Sequence, residues 1–443
     1  MTPSPFTSAL TAPLFGDARA AEILSDQAFV AHLVAVEAAL ARACASVGLI
    51  GADAAQRISD TLAQVQISAE SLGAGMAGSG VPVPALVAEL QQACGADGAA
   101  VHWGATSQDI VDCAHVLQWR ALLALLGTRL GAVLDGLCAA SDAHADTLMA
   151  GRTRSQIATP ITLGLRIATW AQPLIALEAE LPGLQAQLLR VQFGGAAGAG
   201  SAVGDKAEAL TDALARELGL SPGPCWHLDR SGPQMLGAWL VRLSAALAKL
   251  ARDLIISGRS EIAELRAGAG GGSSTMPQKS NPVAAEALVT LAHYAASLQP
   301  LLAQAAMPLE ERDGAAWALE WLALPQLGVC GAASLRHATA LIADLQPDAA
   351  RMEAQLNSGH GAIMAEAAGL ALARHLPRSA AAAKVREALE LARATDRTLA
   401  QVLADDIATG ALENWGEYLA PQSARAAADA MRRRILATRK PQG

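Results

Sequence analysis

Aromatic residues are scarce in this 443-residue chain: four Phe, two Tyr and eight Trp amount to 3% of it, although 52% of its residues are hydrophobic. The apolar content therefore rests on Ala, Leu and Val, and such side chains favour closely packed helices over cores built around large rings. No run of about 18 apolar residues escapes interruption by charge or proline; the stretch 121–140 contains Arg129 and Asp135. The N-terminus, MTPSPFTSALTAPLFGDARA, has no basic region followed by an apolar core, so no signal peptide is expected. These absences favour a soluble cytoplasmic protein without a membrane partner.

Paired cysteines are missing too. Cys44, Cys94, Cys113, Cys138, Cys225 and Cys330 are scattered with no C-x-x-C, a pattern of free thiols rather than of a disulfide frame or zinc site. The nine histidines show neither H-x-x-x-H nor H-E-x-x-H, so no metal is implied. The net charge of −8 argues against nonspecific nucleic-acid binding, which needs a basic face. FGGAAGAGSAVGD at 193–205 lacks the G-x-G-x-x-G spacing and follows no predicted strand, which makes it a loop rather than a dinucleotide site.

What the chain does have is helical periodicity. Phe29, Leu33, Val36, Ala39 and Leu40 recur at helical spacing over 27–47, and Gly48 is a stop signal. Helix-compatible stretches follow at 110–150, 160–192, 205–218, 234–265, 283–305, 328–345, 361–375 and 380–405, and nothing of length alternates with period two. The fold class is therefore all-α. A helix of about 30 residues is some 45 Å long, so several of them make an elongated bundle, whose spare apolar stripes suit a homo-oligomer. Composition breaks near 95–109 and 345–361 suggest an N-terminal helical domain at 1–109, a central long-helix bundle at 110–350 and a C-terminal helical domain at 351–443.

Three polar segments interrupt this pattern: HWGATSQDIVD at 102–112, GRTRSQIATPITLG at 151–164 and GAGGGSSTMPQKSNPVAAE at 268–286. Each sets small hydroxyl residues beside amide or cationic groups near a predicted helix start, where free N–H groups and the helix dipole attract anions. Taken singly they have plainer readings. Thr106, Ser107 and Asp109 suit helix capping, Arg152 and Arg154 a structural ion pair or solvated face, and Ser273 and Ser274 loop filler. The third segment is not helical in itself, since each glycine costs roughly 1 kcal/mol and proline about 3.

Together the segments resemble the signatures of the fumarase/aspartase superfamily, with GGSSTMPQKSNP matching its G-S-S-x-M-P-x-K-x-N loop. The resemblance covers essentially the whole chain. It implies a three-domain fumarase/aspartase-like fold, a homotetramer around twenty long helices, and active sites built from segments of three subunits. It also implies that Ser273 abstracts a proton beside a carboxylate, with Lys279 and Asn281 on carboxylate oxygens. Thr106, Ser107, Thr153, Gln156, Ser274 and Met276 would line the substrate, and His102, at the head of the first segment, would reach it. No cofactor is implied, and the partner is a small polycarboxylate.

One departure is informative. Most lyases of the superfamily have G-R-T-H at the second segment, the histidine pairing with a glutamate thirteen residues after the loop serine. Here Arg154 stands in the histidine's place while Glu286 matches the glutamate, which predicts an Arg154–Glu286 ion pair. Arginine does not give up its proton near neutrality, so an amine leaving group would lose its proton donor, whereas a carboxylate with a reference pKa near 4 needs none. GSGVPVPALVAELQ, PCWHLDR and EERDGAAWALEWLALPQL likewise resemble the carboxymuconate cycloisomerase subgroup. This implies lactone closure by an attacking carboxylate, with Arg152, Arg154 and Lys279 neutralising a trianion. His360 is assigned to packing or a lid in the C-terminal part.

Overall fold

The computed structural model describes residues 4–268, 270–272, 275–406 and 414–439. The described chain is mostly helical, with helices at Asp26–Ser46, Ser107–Ala143, Leu163–Leu188, Ser231–Ser257, Val283–Ala305 and Gly314–Ala343 as its longest elements. Among the described residues the strands form three two-stranded antiparallel ribbons.

Several element boundaries differ from the periodicity, each for a local reason. The helix expected over 110–150 ends at Ala143, because Leu148–Thr153 pairs with Gln156–Thr162 in a hairpin rich in β-branched side chains. The register slips between Ala150 and Arg152, where a Cβ on Gly151 would lie 2.7 Å from the Thr159 carbonyl. The helix placed at 234–265 stops at Ser257, and Leu265–Ala267 instead pairs with Leu345–Pro347. The helix expected from 328 begins at Gly314, since the Asp313 carboxylate accepts the N–H groups of Ala315 and Ala316 at 2.9 and 3.1 Å. The stretch 380–405 is broken after Ala394, and a new helix opens at a capping box between Thr398 and Gln401.

Two compact units alternate along the sequence, and every boundary between them falls inside a long helix. The first comprises Met1–Leu130, Glu180–Ala245 and Ala287–Arg336. In it Leu33, Val36 and Leu40 are buried where the Asp26–Ser46 helix packs on the Ala52–Leu62 and Ala207–Leu218 helices. Gly331 lets three long helices approach, for a Cβ there would lie 3.1 Å from Leu240 and 3.8 Å from Leu126.

The second unit comprises Gly131–Ala179, Ala246–Glu286 and His337–Gly443. Leu356, Met364, Leu372, Leu403 and Trp415 form its C-terminal core. Trp170 Nε1 donates to Asp253 at 2.7 Å, and Arg439 reaches Glu178 at 3.0 Å and Asp135 at 2.6 Å. The His360 carbonyl accepts Leu399 N–H at 2.8 Å, which places that histidine in the packing of this unit.

Three helical stretches, Ala18–Ser46 (interrupted at Leu24 and Ser25), Ser107–Ala143 and Gly314–Ala343, are long and apolar enough by length and composition to cross a membrane. This departs from the sequence expectation, because one or two charges do not lower the mean hydropathy of so apolar a run. Two of the charges they carry are paired within the protein: Asp112 of one and Glu320 of another share Arg230.

Candidate active site

Thr106 and Ser107 open the 37-residue helix Ser107–Ala143, and Asp109 lies in its first turn. Asp109 Oδ2 accepts the N–H of Thr106 at 3.0 Å, the reach-back of a cap. The same buried carboxylate also accepts the N–H groups of Gly194 and Gly195, each at 2.9 Å, and its Oδ1 lies 2.9 Å from His227 Nε2. A glycine loop with Gly195, Gly198 and Gly200 at positive φ thus turns successive N–H groups onto an internal anion. Burial alone would lower the His227 imidazole, yet Asp109 and the neighbouring Cys225 raise it to about 9. The hydroxyls of Thr106 and Ser107 make no hydrogen bond among the described residues, and both residues are half-buried. They stand at the positive end of a long helix with their donors unspent.

A second buried cluster lies beneath. Arg230 donates to both oxygens of Asp112, at 2.8 and 3.1 Å, and through Nε to Glu320 at 2.9 Å, while its guanidinium lies 4.7 Å from the Trp226 ring centre. Burial would raise Asp112, but Arg230 outweighs it and holds the carboxyl below the usual range; for Glu320 burial prevails and the pKa rises. Arg312 bridges Gln108 Oε1 at 3.1 Å and the Ala196 carbonyl at 2.9 Å, tying the glycine loop to the helix start.

His102 takes φ 63°, and its Nδ1 lies 2.6 Å from Oε1 of the buried Glu37. Burial would lower this histidine, but the Glu37 hydrogen bond and charge raise it. Its ring is thereby fixed and biased toward the cation.

The second unit carries the other segments. Arg152 is bidentate with Glu264, both bonds 2.8 Å, and Glu264 is fully buried. Its charge is therefore already matched inside the chain. Thr153, Arg154, Ser155 and Gln156 form the exposed tip of the hairpin, with Arg154 at φ 49° and Ser155 at φ 67°. A two-residue hairpin turn with both central φ positive normally selects Asn-Gly or Gly-Gly, so Arg-Ser is held there against local preference. Arg154 makes no ion pair among the described residues of this single chain, where the reading that pairs it with Glu286 places the two in a site shared between subunits. Arg154 is exposed at the hairpin tip, and within the chain Arg152 forms an ion pair with Glu264.

Ser273 and Ser274 lie outside the described residues. On either side, Gly271–Gly272 pairs with Ser280–Asn281, so the signature loop closes as a ribbon. Gly270 has φ 67°, and a Cβ there would overlap the Ser280 hydroxyl, so the approach requires glycine. Met276 and Lys279 are exposed, with Lys279 N–H donating to the Met276 carbonyl at 3.0 Å. Asn281 and Pro282 lead straight into the Val283–Ala305 helix, whose first turn holds Glu286. Lys279 and Asn281 thus stand beside another positive helix end.

The residues that sequence reasoning did not single out are Glu37, Glu264, His227 and Arg230. The charges in PCWHLDR were the available signal, since His227 and Arg230, following Trp226 by one and four residues, need internal partners once buried. Their partners are far along the chain, Asp109 being 118 residues from His227.

The family model described as "Lyase" matches residues 12–295. The 3-carboxy-cis,cis-muconate cycloisomerase of Bradyrhizobium diazoefficiens is 36% identical over 407 residues, 90% of this chain and 90% of that protein. The nitrosuccinate lyase of Streptomyces davaonensis is 32% identical over 412 residues, 89% of this chain and 87% of that one. Among solved structures, the 3-carboxy-cis,cis-muconate lactonizing enzyme from Pseudomonas putida superposes with a TM-score of 0.89 at 32% identity, covering 98% of this chain and 99% of that one.

Proposed function

The chain belongs to the lyase family of the fumarase/aspartase superfamily, and within it we propose that it closes 3-carboxy-cis,cis-muconate to 4-carboxymuconolactone. One carboxylate of the substrate adds across a conjugated double bond, and a proton is delivered to the carbon alpha to a second carboxylate. The observation that carries this reading is Arg154, exposed on its hairpin and without an ion pair among the described residues, where most of the superfamily's lyases carry histidine. An arginine there binds a carboxylate but donates no proton, which suits a ring closure whose nucleophile is itself a carboxylate. The identities to cycloisomerases support the same substrate class.

In this reading Lys279, Asn281 and the positive end of the Val283–Ala305 helix stabilise the charge that builds on the alpha carboxylate. Thr106, Ser107 and His102 hold another carboxylate, and Thr153, Gln156, Ser274 and Met276 line the remainder. Ser273 carries the proton. A serine hydroxyl is far too weak an acid to ionise near neutrality in water. Backbone N–H groups, the helix end and Lys279 would supply the stabilisation once water is excluded. The protein acts as a cytoplasmic homotetramer whose sites combine segments of several subunits, and the reaction uses no cofactor.

The test is the ultraviolet absorbance of purified protein mixed with 3-carboxy-cis,cis-muconate, with the product identified by NMR. Loss of the conjugated diene with appearance of the lactone supports the proposal. An unchanged diene, together with nitrite release from nitrosuccinate, replaces it with an elimination lyase, the reading favoured by the nitrosuccinate lyase match. Ser273→Ala is expected to lower kcat by at least about a hundredfold with the oligomer intact, the scale of a lost acid–base group. A kcat near that of the parent protein removes Ser273 from the mechanism.

A further inference from the structure

Cys225 lies on the wall of a cavity of about 470 Å³ that the proposed reaction does not use, lined also by Phe193, Gly194, Gly198, Glu208 and Asp212. The thiol is half-buried and not in a disulfide. Beside it stands His227, 4% exposed, whose Nε2 is held by Asp109 at 2.9 Å while its buried Nδ1 has no completed hydrogen bond. The group that Nδ1 faces is Cys225. A Cβ on Gly198 would lie 3.4 Å from the Cys225 Sγ and 3.8 Å from the His227 Nδ1, so glycine leaves room for both. A carboxylate, an imidazole oriented by it, and a thiol opening into a cavity make an activated-nucleophile arrangement.

We propose that Cys225 is a peroxide-reactive thiol, activated by His227 and Asp109 and reached through this cavity. The geometry carries this: a ring held at Nε2 by Asp109 presents its Nδ1 to the sulfur as a proton acceptor. The charged and titratable groups around the sulfur are His227 from its own segment, Asp109 from the Ser107–Ala143 helix, and Glu208 and Asp212 from the Ala207–Leu218 helix. The last two carboxylates disfavour anionic oxidants such as glutathione disulfide and leave small neutral peroxides as the matching class. In the reaction the thiolate sulfur attacks one peroxide oxygen: an S–O bond forms, the O–O bond breaks, and the departing hydroxide takes a proton from His227 to leave as water. Sulfur is oxidised to a sulfenic acid while the peroxide is reduced.

The remaining cysteines are internal controls. Burial pushes Cys44 and Cys330 up to about 12 and raises Cys113 further; Cys94 and Cys138 are part-exposed, with burial raising both. The experiment treats the intact protein at pH 6.5 with hydrogen peroxide, traps sulfenic acid with dimedone and quantifies each cysteine peptide by mass spectrometry. Cys225 is expected to be labelled at least about tenfold faster than Cys94 and Cys138, and His227→Gln to remove most of that advantage. Because His227→Gln cuts a buried pair and can unfold the protein, iodoacetamide alkylation of the unmodified chain from pH 6 to 8 supplies a second measure. A nearly flat rate at Cys225 supports the thiolate, whereas a rise of about tenfold per pH unit, as for an ordinary thiol, overturns it. Labelling of Cys225 no faster than Cys94 and Cys138 overturns it equally.

Discussion

Asp109 Oδ1 and His227 Nε2 lie 2.9 Å apart, both buried, and join two segments that are 118 residues apart in sequence. The contact fixes more than itself. The same carboxylate caps the helix that starts at Ser107 and gathers the N–H groups of Gly194 and Gly195. One anion thereby sets the position of Thr106 and Ser107 and the path of the glycine loop.

Stability is expected to fall at alkaline pH through this pair. The folded His227 is raised to about 9 from an ordinary 6.5, so its contribution is complete below about 6.5 and is lost as pH rises through 9. Urea melts at intervals from pH 6.5 to 10 measure it. The downward slope above pH 7.5 is expected to be much shallower in Asp109→Asn, and equal slopes would show that other groups carry the alkaline loss.

Asp109→Ala removes the acceptor of three backbone N–H groups and the partner of a buried imidazolium. Breaking a buried pair from one side costs about 3–5 kcal/mol, and each orphaned buried donor adds to it. A two-state urea melt is expected to show a loss of that order, together with weaker substrate binding because Thr106 and Ser107 shift. A loss below about 1 kcal/mol would mean that water replaces the carboxylate.

How much of this was legible follows from where each partner lies. The start of the Ser107–Ala143 helix was visible in Thr, Ser and Asp standing before an apolar run, and the Val283–Ala305 helix appears at its expected bounds. Both signals are local. The hairpin over 148–162 was missed because Gly151 and Pro160 break its alternation, and Pro160 pairs across from Ala150 next to the bulge. Glu37 for His102 and Glu264 for Arg152 are 65 and 112 residues away from their partners, and no spacing rule names a partner at that distance. The superfamily motifs marked the segments, while the buried counter-charges behind them became visible only in three dimensions.

Arg152 is expected to act on stability before binding. Arg152→Ala leaves the fully buried Glu264 without its bidentate partner, a loss of about 3–5 kcal/mol. The double variant Arg152→Ala with Glu264→Gln is expected to recover part of this, because the uncompensated charge is gone. Thermal melts of the two variants decide the matter: no recovery, combined with a parental melt for Arg152→Ala and a large rise in KM, would show that Arg152 faces substrate rather than Glu264.

Arg154 invites a substitution that separates backbone from charge. At φ 49° an L-residue pays about 1–2 kcal/mol that glycine does not, and Ser155 follows at φ 67°, so Arg154→Gly keeps the turn and relieves strain while deleting the guanidinium. With no ion pair at Arg154 among the described residues to lose, Tm is expected to hold or rise slightly. If the guanidinium binds a substrate carboxylate, as proposed, the lost charge-assisted bonds are worth about 1.5–3 kcal/mol, and KM for 3-carboxy-cis,cis-muconate rises roughly ten- to a hundredfold. Arg154→Lys is expected to fall between, since a point charge keeps attraction but loses the fork. A lower Tm with unchanged KM in Arg154→Gly would make the arginine structural and remove the ground for preferring ring closure over elimination.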